Sequence, residues 1–262
     1  MQYVFALLLG VVQGITEFLP ISSTGHLVIL EQWLQLDAAV FNLSFDVMVH
    51  LGTLIAVVVY FRSTLARISK DVVTNAETEE RNWGWWIIIS TVLVAAIAFV
   101  VKDYIEQYLR NINVIAVALI IGAIIFIVVE QLYKQKKDSV STRASAIAIG
   151  LSQALALVPG MSRSGITLST ALATGVNRAK AAEYVFLLSF PIIALASMYN
   201  IWALVQTGIS LNHAGVLVVG LVAAAISGYA AIAFFISYIQ KHTLVPFAIY
   251  RIILGIILLT VL

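Results

Sequence analysis

The 262-residue chain contains no cysteine and few charges. Without cysteine there is no disulfide framework, no thiolate metal site and no cysteine nucleophile. Only 11% of the residues are charged, against 61% hydrophobic, where a soluble domain carries about 25% charged residues. Too little polar surface remains to cover a water-facing globule, so lipid is the solvent for most of the chain. The longest polar connection, about 62–83, has neither a Gly/Pro-rich linker nor a motif, so no separate soluble domain is expected. The net charge of +2 is uninformative as a total, and no nucleic-acid partner is expected.

What the chain does have is apolar runs near 20 residues, the length that crosses ~30 Å of hydrocarbon. They fall at about 44–61, 84–101, 113–132, 182–203, 214–236 and 246–262. None alternates polar and apolar every second residue, so helices rather than a barrel are expected. The N-terminal stretch lacks a basic region and a small-residue cleavage pattern, and it carries Gln13 and Glu17. It is not expected to be a cleavable export signal.

The basic residues orient these runs. Arg62, Arg67, Lys70 and Arg81 follow the first, Lys134, Lys136, Lys137 and Arg143 follow the third, Arg178 and Lys180 precede the fourth, and Lys241 follows the fifth. The positive-inside rule makes these connections cytoplasmic and the 102–112 and 205–213 loops external. An apolar segment of about 30 residues then separates two cytoplasmic basic stretches, with Pro159-Gly160 near its middle. Each half gives only ~21 Å of helix, so 144–176 reads as a re-entrant hairpin. Residues 1–35, broken at Pro20, read as a matching hairpin from outside. Both termini come out external.

A shift of 140 residues places Gly10 on Gly150, Gln13 on Gln153, Ser22 on Ser162, Thr24 on Ser164 and Gly25 on Gly165, with Pro20 and Pro159 one position out of register. Hairpins entering from opposite faces make the halves, about 1–132 and 144–262, an inverted repeat within one membrane domain, an arrangement that puts the site at the midplane. The expected fold is all-α and integral to the membrane: six transmembrane helices, two re-entrant helical hairpins and an inverted-topology repeat.

The segment Gln13–His26 is too polar for lipid contact. Gln13 and Glu17 are four apart and share a helix face, and Gly10 and Gly14 permit close helix approach. Pro20 ends that helix. Ser22, Ser23 and Thr24 then offer hydroxyls and free N–H groups at the next helix start, a natural anion site. His26 lies one turn further in as a base candidate. Capping alone accounts for the serines as well as an anion does, but an intramembrane carboxylate such as Glu17 marks function.

The second motif, Pro159–Thr167, repeats the arrangement and adds Arg163 at the helix start. Its planar fork suits two phosphate oxygens. Ser162, Ser164 and the exposed N–H groups complete a phosphate cradle, and Thr167 shares the face of Arg163. A structural Arg163–Glu17 salt bridge explains the charges but not two hydroxyl-rich helix starts.

These segments resemble the two signature motifs of the undecaprenyl-pyrophosphate phosphatase (bacitracin-resistance) family, as do Phe45-Asp46, Leu51-Gly52-Thr53, Ala182-Glu183, Pro191 and Phe247-x-x-Tyr250-Arg251. The similarity covers nearly the whole chain. It implies hydrolysis of undecaprenyl pyrophosphate to undecaprenyl phosphate and inorganic phosphate in the bacterial inner membrane, assisted by Mg²⁺ or Ca²⁺. The lipid carrier of cell-wall synthesis is thereby recycled. In the family the position of Gln13 carries Glu or Gln, so this chain has one carboxylate fewer for a cation. Glu17 with Gln13 would hold the metal or orient the nucleophile. Ser23 activated by His26 is the candidate nucleophile, with water as its competitor. Arg163, Ser22, Thr24, Ser162, Ser164 and Thr167 would bind substrate. Asp46, His50, Glu183 and Arg251 stand behind them, each as readily explained by span-end or structural pairing. A homodimer is left open. The runner-up is a flippase or transporter, since inverted repeats with broken helices are transporter architecture; a structural subunit is the third reading.

Overall fold

The computed structural model describes residues 1–37, 40–41, 43–134, 142–207 and 213–261. Lys136, Lys137 and positions 208–212 of the loop read as external therefore lie outside the described residues. Among those described there are eleven α-helices and no strand: α1 (Gln2–Phe18), α2 (Ser23–Trp33), α3 (Leu43–Tyr60), α4 (Arg62–Thr74), α5 (Glu79–Tyr104), α6 (Ile112–Leu132), α7 (Arg143–Ser152), α8 (Arg163–Ala173), α9 (Arg178–Thr207), α10 (Ala214–Ile239) and α11 (Val245–Val261). Five of them, α3, α5, α6, α9 and α10, are long and apolar enough to cross a membrane. The last expected run is α11, whose 17 residues give about 26 Å of helix. The 62–83 connection holds α4, an amphipathic helix that packs on α5.

Lipid supplies no hydrophobic drive between helices, so close packing of small residues must hold them. α10 lies between α1 and α3 on this principle. A Cβ on Gly10 would stand 2.5 Å from Gly220 O, and one on Gly14 would stand 2.6 Å from Ala224 O. The expected role of Gly10 and Gly14 as approach points is met by this one partner helix. At the lower end of α1, buried Phe18 meets Phe186 edge to face at 5.6 Å, and Phe186 continues to Phe235 at 5.8 Å. Glu17 is thus set beside an aromatic anchor rather than on a mobile loop.

Two breaks in the helices match each other in detail. Ser22 (φ 74°, ψ 96°) caps α2 by accepting from the N–H of Gly25, and Ser162 (φ 70°, ψ 109°) caps α8 by accepting from that of Gly165. Each is followed by an 11-residue helix, and both helices end in the same αR cap. A positive φ at a non-glycine residue is strained, on the order of 1–3 kcal/mol, and persists only where the surroundings enforce it. A short 3₁₀ turn, Gln153–Leu157, precedes the second break.

Candidate active site

The enforcing group is Arg251, at the second turn of α11 and fully buried. Its Nη1 donates to Pro20 O (3.3 Å) and Met161 O (3.1 Å), and its Nη2 to Gly160 O (3.0 Å) and Ala118 O (3.2 Å). Its Nε donates to Leu119 O at 3.1 Å. One guanidinium therefore ties the Pro20 turn to the Gly160 turn and both to α6. Phe126 supports it from one side, 4.9 Å from guanidinium carbon to ring centre. Gly122 leaves the room, since a Cβ there would collide with Nη2. The two turns are also linked directly by Ser164 Oγ, which donates to Leu19 O at 3.2 Å.

Between the turns lies a cavity of about 120 Å³ lined by Thr16, Glu17, Ser22, Ser23, Thr24, His50, Ala156, Val158, Pro159, Gly160, Ser162 and Arg163. Arg163 Nη2 donates to Glu17 Oε1 at 2.7 Å. The other carboxylate oxygen, Oε2, accepts from Ser23 Oγ at 2.7 Å and from Gln13 Nε2 at 3.1 Å. Gln13 is wholly buried, and its Oε1 has no hydrogen-bond partner among the described residues. Glu17, Ser22, Ser23, Thr24, Ser162 and Arg163 thus share one space.

Other candidates are placed differently. Thr167 Oγ1 donates to Arg163 O at 2.7 Å, bracing the helix start from behind instead of lining the cavity. Ser164 is occupied with Leu19 O and with Ser162 Oγ, 3.3 Å away. His26 does not reach Ser23. Its Nδ1 lies 2.7 Å from Ser22 O, a carbonyl that only accepts, so Nδ1 carries the proton. Its Nε2 then accepts from Tyr250 OH at 2.6 Å, with the two rings stacked. The group in position to take the Ser23 proton is Glu17, and the expected pairing of His26 with Ser23 gives way to it. The reason is geometric: with Ser22 at positive φ, Ser23 turns back toward α1 while His26 folds onto α11.

Asp46 Oδ and Glu183 do not line this cavity. Glu183 pairs with Lys180 at 2.8 Å, as a span-end residue would. His50 and Thr16 do line it. Thr16 has a weak sequence signal, being three residues from Gln13 on the α1 face. The Tyr250–His26 contact spans 224 residues and had none.

Hydroxyl-capped helix starts, a guanidinium and one carboxylate at a shared cavity define a class: a membrane protein, helical throughout its described residues, with a candidate anion site between two helix breaks. The chain belongs to the bacitracin resistance protein BacA family, whose profile matches residues 6–257. It is 40% identical over 261 residues to undecaprenyl-diphosphatase 1 of Pseudoalteromonas translucida, covering 98% of this chain and 97% of that protein. It is 41% identical over 254 residues to the undecaprenyl-diphosphatase of Rubrobacter xylanophilus (94% and 93% covered). The undecaprenyl-diphosphatase of Elusimicrobium minutum is 41% identical over 259 residues (99% and 98% covered).

Proposed function

We propose that the protein hydrolyses undecaprenyl pyrophosphate to undecaprenyl phosphate and inorganic phosphate. It thereby recycles the lipid carrier of peptidoglycan synthesis and confers bacitracin resistance. The observation that carries this reading is the 2.7 Å hydrogen bond from Ser23 Oγ to Glu17, beside Arg163, in a cavity between two helix N-termini. Phosphate release from undecaprenyl pyrophosphate by the purified protein tests it; no release with Mg²⁺ or Ca²⁺ present would refute it.

Phosphoryl transfer asks mainly for in-line positioning and charge neutralisation. The terminal phosphate sits between the starts of α2 and α8, where backbone N–H groups and the helix dipoles favour an anion. Arg163 takes two of its oxygens. Ser23 Oγ passes its proton to Glu17 Oε2 and attacks phosphorus, and the bridging P–O bond breaks with its electron pair leaving on undecaprenyl phosphate. The departing undecaprenyl phosphate takes the proton from Glu17. Water then attacks the seryl phosphate, giving a proton to the freed carboxylate, which returns it to Ser23 Oγ as the seryl P–O bond breaks and inorganic phosphate departs. Direct attack by a water held on Glu17 gives the same products in one step.

The donors suit a divalent ion carried in by the pyrophosphate. Mg²⁺ commonly uses one or two protein oxygens and takes the rest from phosphate and water, and Gln13 Oε1 and Glu17 are oxygens of that kind. No cluster of three or more His, Cys, Asp or Glu able to hold a metal occurs among the described residues. Such an ion, when bound, would neutralise phosphate charge.

In the membrane, α1–α2 and α7–α8 form two re-entrant hairpins entering from opposite faces, related as an inverted repeat of about 1–132 and 144–262. The matched serine caps support this. The cavity opens outward, both termini are external, and lipid-facing spans hold the prenyl chain. A flippase would need the cavity to open alternately to both sides, and no observation favours that reading.

A further inference from the structure

We infer that His50 is a further substrate-binding residue, its Nε2 holding an oxygen of the pyrophosphate inside the cavity. The inference rests on the phosphatase reading. His50 lies on α3 and lines the same cavity as Glu17, Ser23 and Arg163. Its Nδ1 is 2.7 Å from Asp46 O, one turn earlier on the same helix. That carbonyl only accepts, so the proton sits on Nδ1 and the ring is held by its backbone-side edge. Nε2 is at the far edge and forms no hydrogen bond among the described residues.

The cavity needs such a group. Arg163, the one arginine or lysine lining it among the described residues, already shares its charge with Glu17, and a pyrophosphate brings more negative charge than that pair can balance. With Nδ1 committed to Asp46 O, Nε2 donates to a phosphate only as the imidazolium. The charged groups around it are Glu17 from α1, Arg163 from α8 and Asp46 on its own helix, with Glu31 of α2 and Arg110 beyond Asp46. α10, which covers another face of α3, carries no charged residue. Glu183 of α9 faces Tyr60 at the opposite end of α3. His50 therefore couples substrate affinity to pH, through binding rather than through the chemical step.

The test is steady-state phosphate release from undecaprenyl pyrophosphate by the purified full-length protein at several pH values between about 5.5 and 8. At the acid end of that range His50→Leu raises KM about tenfold or more, the worth of one charge-assisted hydrogen bond, and leaves kcat within about threefold. His50→Gln keeps a neutral N–H donor at every pH, so it recovers part of that loss at the acid end and matches or undercuts the wild-type KM at the alkaline end. It lacks the fall in KM toward acid that distinguishes the wild type. Should His50→Leu not fold, as judged by thermal unfolding and size-exclusion profile, the KM–pH curve of His50→Gln decides alone. An active wild type whose KM and pH profile are shared by the folded variants refutes the assignment of His50, as does a loss confined to kcat. A wild type that releases no phosphate refutes the phosphatase reading and the inference with it.

Discussion

Glu17 and Arg163, 146 residues apart in the chain, meet in a 2.7 Å ion pair at the point where two strained, serine-capped helix starts converge. The pair is only slightly exposed, at 9% and 17% of the side-chain surface. It uses one terminal nitrogen of the guanidinium and one oxygen of the carboxylate. The second oxygen remains directed at Ser23. Charge neutralisation at rest and chemistry with substrate are thus served by different atoms of the same two residues.

Glu17→Gln removes the acceptor for the Ser23 proton and the charge partner of Arg163. Phosphate release falls about 10²–10⁴-fold, the usual span for a lost acid–base group. Leaving Arg163 unpaired also destabilises the protein by about 3 kcal/mol. Combining it with Arg163→Ala adds little further loss of activity, because the two act as one unit. Kinetics and thermal unfolding of the three variants check this; additive losses would contradict it.

Ser23→Ala separates the two nucleophile routes. If Oγ attacks phosphorus, the variant loses activity by about 10³-fold or more. Rapid acid quench of the wild type then traps phosphate on Ser23, detectable by mass spectrometry. A variant retaining about a tenth of the activity, with no phosphoserine in the wild type, would assign the attack to water.

Much of this was legible in the sequence, for identifiable reasons. Polar residues in apolar surroundings singled out Glu17 and Arg163, and Pro20 and Pro159-Gly160 marked the breaks. The 140-residue shift placed the two serine caps. The partner of His26 was not legible, because Tyr250 reaches it from another helix and no local spacing encodes that contact. Nor was the work of Arg251. A buried arginine satisfied wholly by backbone carbonyls leaves no complementary acidic residue to find.

Arg251→Met removes the donors for five carbonyls, three in the two turns and two on α6. Each buried acceptor left unpaired costs about 1–3 kcal/mol, so the melting temperature drops by roughly 10 °C or more. Arg251→Lys rescues little, since an ammonium is a point donor that cannot span carbonyls from three segments. A melting temperature near wild type in either variant would show that the turns hold without the clamp.

Because the chain has no cysteine, single cysteines report sidedness cleanly. Lys241→Cys, at the exposed α10–α11 connection, resists membrane-impermeant thiol reagents in intact cells. Arg110→Cys, between α5 and α6, reacts. The opposite pattern would invert the proposed topology and turn the cavity toward the cytoplasm.

The two helix breaks together form one phosphate site. A structure with a non-hydrolysable pyrophosphate analogue tests it most directly. The terminal phosphate is expected within hydrogen-bond distance of the N-terminal N–H groups of both α2 and α8 and of Arg163, with Ser23 Oγ in line for attack. A phosphate bound at only one helix start, or away from Ser23, would contradict it.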